Sequence, residues 1–195
     1  YNLDGADLDF EWAYSGTDLS NYSKAIVQLR EVLGKDVFLT VSLHPVSYKI
    51  SAEAIAAVDF ISLQCYGPSV ELFSQERFKS DGKAAVDYGI PQDKLVMGVP
   101  FYGTTGTAGE QAAYFDLVGK GNLTNTSADT WSYEGKNYTL NSQNTIRQKT
   151  QYVCENGFGG IMSWDLATDV DVTHEMSLLK AVKEELDYYA NPTVE

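Results

Sequence analysis

The stretch Asp-Gly-Ala-Asp-Leu-Asp-Phe-Glu-Trp, residues 4 to 12, sets Asp7, Asp9 and Glu11 at every second position, with Leu8 and Phe10 between them. Side chains alternate across a β-strand, so the three carboxylates share one face and the apolar residues the other. Three kinds of chemistry fit that pattern. Alternating acids can be the solvated face of an edge strand. Three carboxylates can hold a hard cation. They can also do acid–base work: stacked carboxylates repel, and burial favours the neutral form. At least one would then keep its proton toward neutral pH and could give it to a leaving group.

Such acids need a frame to aim them. Asn2 to Phe10 reads as a strand. Leu19 to Leu33 reads as a helix, because Tyr22, Ile26, Leu29 and Leu33 recur at helical spacing. Asp18 or Ser20 would cap it and Gly34 would stop it. Residues 36–43 are nearly continuously apolar, as a buried parallel strand should be. A short helix over Ser51 to Ala57, a strand over 58–67, a helix over Gln75 to Tyr88 and a strand over 94–103 follow. The series closes with a helix over 142–157, a strand over 158–165 and a helix over Val172 to Tyr189. Strands alternating with helices predict an α/β fold with a parallel sheet and crossover helices. One segment breaks the rhythm. Residues 104–141 are rich in Gly, Thr, Asn and Tyr, and 131–140 reads as a hairpin around Glu134-Gly135. An insertion after a strand's carboxyl end lies on the functional face of a (β/α)8 barrel. Five strands do not close such a barrel. The chain is therefore expected to be the carboxyl-terminal part of a longer fold, with about three further βα units at ~30 residues each.

Composition narrows the partners. A chain of 195 residues with 44% hydrophobic and 12% aromatic content can build a proper core. A net charge of −13 argues against nucleic acid and against an anionic membrane surface. No apolar run reaches the ~18 residues needed to span a bilayer. Cys65 and Cys154 make no disulfide framework and read as buried thiols. With His44 and His174 as the only histidines there is no zinc constellation, and no metal or cofactor is expected. Four Asn-x-Ser/Thr matches start at Asn21, Asn122, Asn125 and Asn137, and they matter only for a secreted eukaryotic chain.

The acidic stretch resembles the D-G-x-D-x-D-x-E signature of glycoside hydrolase family 18, the chitinase family, at Asp4, Gly5, Asp7, Asp9 and Glu11. Three later stretches are similar to that family in the same order. Residues 58–67 resemble its sixth strand, 93–103 its seventh and 157–169 its eighth, which carries a Trp. The resemblance implies a TIM barrel of which this chain supplies about strands 4–8, with residues 1–195 part of a single catalytic barrel and 104–141 a short insertion after strand 7.

What the resemblance implies for chemistry is specific. Glu11 would protonate the glycosidic oxygen and later activate water. The sugar's own 2-acetamido oxygen would attack the anomeric carbon, so the reaction is retaining and substrate-assisted. Asp9 would hold the acetamido N–H, and Asp7 would share a proton with Asp9 and tune it. Tyr66 would donate its hydroxyl to the acetamido carbonyl. Trp164, on a face with Gly160 and Met162, would form the apolar floor under the sugar. Tyr102 and Gln64 would line the cleft, and Trp12, Trp131, Tyr133 and Tyr138 could supply outer sugar platforms. Two positions depart from the family: Gln64 stands where it carries Met, and Gly67 where it carries Asp. The short insertion predicts a shallow groove. The expected substrate is a β-1,4-linked N-acetylglucosamine polymer or oligomer. The alternatives are the chitobiose core of N-glycans, cut by an endo-β-N-acetylglucosaminidase, or a barrel that binds oligosaccharide without cutting it. A monomer is expected, in a secreted, periplasmic or cell-surface setting.

Overall fold

The structure, a computed structural model, describes residues 3–67 and 69–191. Among the described residues, six α-helices and nine strands follow one another. They are β1 (Gly5–Asp9), α1 (Gly16–Leu33), β2 (Phe38–Leu43), α2 (Ala52–Ala57), β3 (Phe60–Leu63), α3 (Gln75–Tyr88), β4 (Leu95–Pro100), β5 (Tyr102–Thr104) and β6 (Gln111–Ala113). Then come α4 (Tyr114–Gly119), β7 (Thr130–Tyr133), β8 (Lys136–Thr139), α5 (Gln143–Glu155), β9 (Gly160–Trp164) and α6 (Leu178–Ala190). A five-stranded sheet has the order β1-β2-β3-β4-β9, and the β1–β2, β2–β3 and β3–β4 pairs are parallel. The strand-and-helix alternation read from the sequence is thus the observed one. The expected start of the first strand at Asn2 lies outside the described residues.

The chain divides into two compact units. The first comprises Tyr1–Gln64, Ser80–Met97 and Phe158–Gly160. Its core is made by alternation. Leu39, Val41 and Leu43 on β2 and Ile61 and Leu63 on β3 are buried, as are Ile26, Ile50 and Ala54. The intervening β2 positions are Thr40 and Ser42, which therefore face the other side of the sheet. Helix α1 starts one turn earlier than expected. Ser15 caps it, accepting from the Asp18 amide, and Asp18 reaches back to the Ser15 amide in a reciprocal capping box. Arg30, in its last turn, donates to the carbonyls of Gly34, Val37 and Ala57 and pairs with Asp59 at 2.7 Å. One side chain thereby ties the helix end to the strands on either side.

The second unit comprises Cys65–Lys79, Gly98–Gly157 and Ile161–Glu195. The insertion holds more than the expected hairpin. β6-β5-β8-β7 form a four-stranded antiparallel sheet, and α4 lies between β6 and β7 in the chain. The hairpin itself turns at Glu134 (φ 48°) and Gly135 (φ 74°). Two consecutive positive-φ residues match the twist of the flanking strands. Lys149 on α5 is fully buried, donates to the Phe73 carbonyl (2.9 Å) and Asn141 Oδ1 (2.7 Å), and lies over the Phe78 ring. Burial pushes its ammonium down to about 8. Helix α6 begins at Leu178, not at Val172. Asp171 Oδ1 accepts from the Thr173 amide and hydroxyl and His174 Nδ1 from the Met176 amide, and these local bonds compete with helix formation over 171–176.

Candidate active site

In the first unit the parallel register sets Asp7 beside Thr40 and Asp9 beside Ser42. Both oxygens of Asp7 are engaged: Oδ1 accepts from the Thr40 hydroxyl at 2.5 Å and Oδ2 from the Ser42 hydroxyl at 3.0 Å. Asp9 Oδ1 accepts from Gln64 Nε2 at 2.9 Å, from just past the end of β3. Glu11 lies beyond the end of β1, in the turn that leads to α1. The structure therefore brings Asp7, Asp9, Glu11 and Gln64 together at the carboxyl end of parallel strands. All three acids are open to solvent, whereas Gln64 is buried.

Solvent access does not make Glu11 an ordinary acid. Partial burial of its carboxyl raises its pKa, and the neighbouring Asp9 charge raises it further; a hydrogen bond from Gln64 offsets part of the rise. Tyr22 of α1 responds to the same field. Its hydroxyl donates to the Leu8 carbonyl at 2.7 Å, and burial, Asp7 and Asp9 push its pKa well above the usual phenol range. Trp12 packs edge-on against His44, ring centroids 4.6 Å apart. Phe10, expected to face the helices, meets Tyr22 at 5.4 Å and is about half exposed.

In the second unit a separate group forms around the expected aromatics. Tyr66 and Tyr102 are buried with Leu72 and Phe73, and half-buried Met162 packs against them. Tyr66 meets Tyr102 edge to face, and its hydroxyl donates to Met162 Sδ at 3.5 Å. The Tyr102 hydroxyl donates to the Gly67 carbonyl at 3.2 Å, and burial raises its pKa above the phenol range. Trp164 ends β9 with its side chain open, 54% exposed, while its carbonyl accepts from the Phe101 amide. An exposed indole at a strand's carboxyl end is a ready surface for the apolar face of a ring. Trp131 donates its ring N–H to the Gly121 carbonyl at 2.8 Å, and Tyr138 is buried. Tyr138 is therefore a packing residue and not the sugar platform considered above.

Thr40, Ser42 and Tyr22 belong to the acid cluster and were not among the candidate site residues read from the sequence, where Tyr22 served only the helix pattern. A signal for the first two was present. They are hydroxyl residues at alternate positions of an otherwise apolar strand, opposite a strand that carries acids on alternate positions. Among the described residues, no group of three or more His, Cys, Asp or Glu side chains is arranged to hold a metal ion.

The family model of glycosyl hydrolases family 18 matches residues 1–169. Chitinase A1 of Niallia circulans is 26% identical over 91% of this chain and 36% of its own length. A class V chitinase of Arabidopsis thaliana is 25% identical over 87% of this chain and 59% of its own. The chain thus spans between about a third and three fifths of these curated relatives. Among solved structures, the chitinase ChiB of Flavobacterium johnsoniae is 31% identical with a TM-score of 0.74, covering 94% of this chain and 60% of that one. A chitinase-like agglutinin from Robinia pseudoacacia shares the fold at 17% identity, with a TM-score of 0.73 over 94% of this chain and 68% of its own.

Proposed function

This chain belongs to glycosyl hydrolases family 18, a TIM-barrel-like α/β fold, and from that premise we propose that its protein hydrolyses β-1,4-linked N-acetylglucosamine chains, chitin or its oligomers, by a retaining, substrate-assisted route. The observation that carries the reading is the pairing of Glu11 with Asp9 at the carboxyl end of β1, with Glu11 shifted toward its protonated form. A carboxyl that keeps its proton above the ordinary range can donate it to a leaving oxygen. Once deprotonated, the same group can draw a proton from water. Asp9, held by Gln64, offers its second oxygen to an N–H such as that of an acetamido group. The acetamido oxygen, already within the substrate, then supplies the nucleophile, so that no second enzyme carboxylate has to reach the anomeric carbon.

In this reading Asp7, its oxygens held by Thr40 and Ser42, supports Asp9 from the same strand. Tyr66 hydrogen-bonds the acetamido carbonyl. Trp164 stacks under a sugar ring and Tyr102 and Met162 contact sugar in the second unit, as Trp12 does in the first. Residues 1–195 are read as part of one catalytic barrel. The relatives named chitinase support the substrate class. A barrel that only binds sugar is the weaker reading, because the proton donor Glu11 is present and its environment favours the acid form.

Replacing Glu11 by Gln tests the assignment. The amide keeps the size but cannot give up a proton at neutral pH. Turnover of an unactivated chito-oligosaccharide should fall by at least about 10²-fold while binding persists. Near-normal hydrolysis by Glu11→Gln would remove Glu11 from the mechanism.

A further inference from the structure

Gln64 stands where the family resemblance calls for Met, and Met can donate no hydrogen bond. Gln64 is 5% exposed, so its amide cannot satisfy itself with bulk water as a surface glutamine would. Its Nε2 donates to Asp9 Oδ1 at 2.9 Å. That partner is a carboxyl group, so the amide must present its NH2 end to it; the carbonyl end would meet oxygen lone pairs. Hydrogen bonds from an amide to a charged acceptor are stronger than neutral ones, so the grip on an anionic carboxylate is firm.

We propose that Gln64 is a positioning residue that fixes the orientation of Asp9 beside Glu11 through its amide group. The inference rests on the glycosidase reading above and deepens it. Met at this position would leave the orientation of Asp9 to packing. With Gln64, the Asp9 oxygen that does not take the amide is turned toward whatever the site binds. Gln64 also lowers the Glu11 pKa against the rise from burial and Asp9, favouring its carboxylate form. Other groups also bear on this pair. Asp7 lies on the same strand, Tyr22 comes from α1, and His44 packs against Trp12 next to Glu11. None of these is altered by a change at position 64.

The test is Gln64→Met, which keeps length and apolar bulk in a buried position, alone and combined with Asp9→Asn, in the full protein. With the amide gone, kcat on a chito-oligosaccharide should fall roughly 10- to 100-fold, as expected when a catalytic group is left misplaced, with KM little changed. The alkaline limb of kcat/KM should move to higher pH, because the Glu11 carboxylate has lost a stabilising donor. The double variant should be no slower than Asp9→Asn alone, since both changes disable one arrangement. An unchanged kcat and pH profile in Gln64→Met, or losses that simply add in the double variant, would overturn the proposal. Glu11→Gln separates the two levels. If it is inactive while Gln64→Met behaves as wild type, only the positioning role falls; if Glu11→Gln is active, the glycosidase assignment falls with it.

Discussion

In the proposed mechanism Glu11 holds a proton in one step and lacks it in the next, and its surroundings suit that double duty. Partial burial and Asp9 raise its pKa while Gln64 pulls the other way. Its acid limit therefore lies above the ordinary 4.5, and kcat/KM should fall on the alkaline side only beyond that value. The sign for stability is the reverse of a salt-bridged carboxylate. Folded Glu11 binds its proton more tightly than the unfolded chain does, so its contribution to stability declines as pH rises through that window. In the same proposal Asp9 has a narrower task, to meet the acetamido N–H. Asp9→Asn should slow hydrolysis of N-acetylated oligomers by about 10²-fold or more, and should slow far less any substrate that lacks the acetamido group. Equal losses on both, measured with matched aryl glycosides, would point to a fold defect and not to a role at the acetamido group. The shared face of Asp7 and Asp9 was legible because a strand has a period of two; Glu11, in the turn beyond β1, falls outside that rule. The hydroxyls that hold Asp7 were harder to see, since register between β1 and β2 is a long-range property that one strand does not encode.

At the scale of elements, the acids are only as well placed as the strands beneath them, and those are held by helices with side-chain caps. Most helix interiors followed from apolar spacing, whereas their starts depended on which polar residue won the backbone. Ser15 took α1 because Asp18 could answer it across one turn. In the closing helix, Asp169 decides the start. Its buried carboxylate accepts from the amides of Val170, Leu178 and Leu179 and from the Ser177 hydroxyl. Asp169→Ala would strand those amides in the interior. It should lower stability by about 1–3 kcal/mol, read as a shift in the denaturant midpoint, and an unchanged midpoint would contradict this role. The insertion was only partly legible. Its hairpin announced itself through Glu134-Gly135, but β5 and β6 are three residues each, too short for alternation to register.

For the whole molecule, a net charge of −13 is compatible with a neutral sugar and sets no demand for counter-charge at the site. The family was legible in the sequence because five fixed positions of one motif fall within eight residues, and the later strands repeat the family's order. The shared fold alone does not choose a reaction, as a chitinase-like agglutinin of similar fold illustrates. What distinguishes the proposed mechanism is its stereochemistry, which depends on the acid, the sugar and the attacking groups acting in one site. The anomeric form of the first product, followed by proton NMR within the first turnovers on a chito-oligosaccharide, reads this directly. Attack by the acetamido oxygen followed by water inverts the anomeric carbon twice, so the initial product should be the β anomer, with α appearing only as mutarotation proceeds. An initial α anomer would mean a single displacement by water, and the substrate-assisted account built on Glu11 and Asp9 would be wrong.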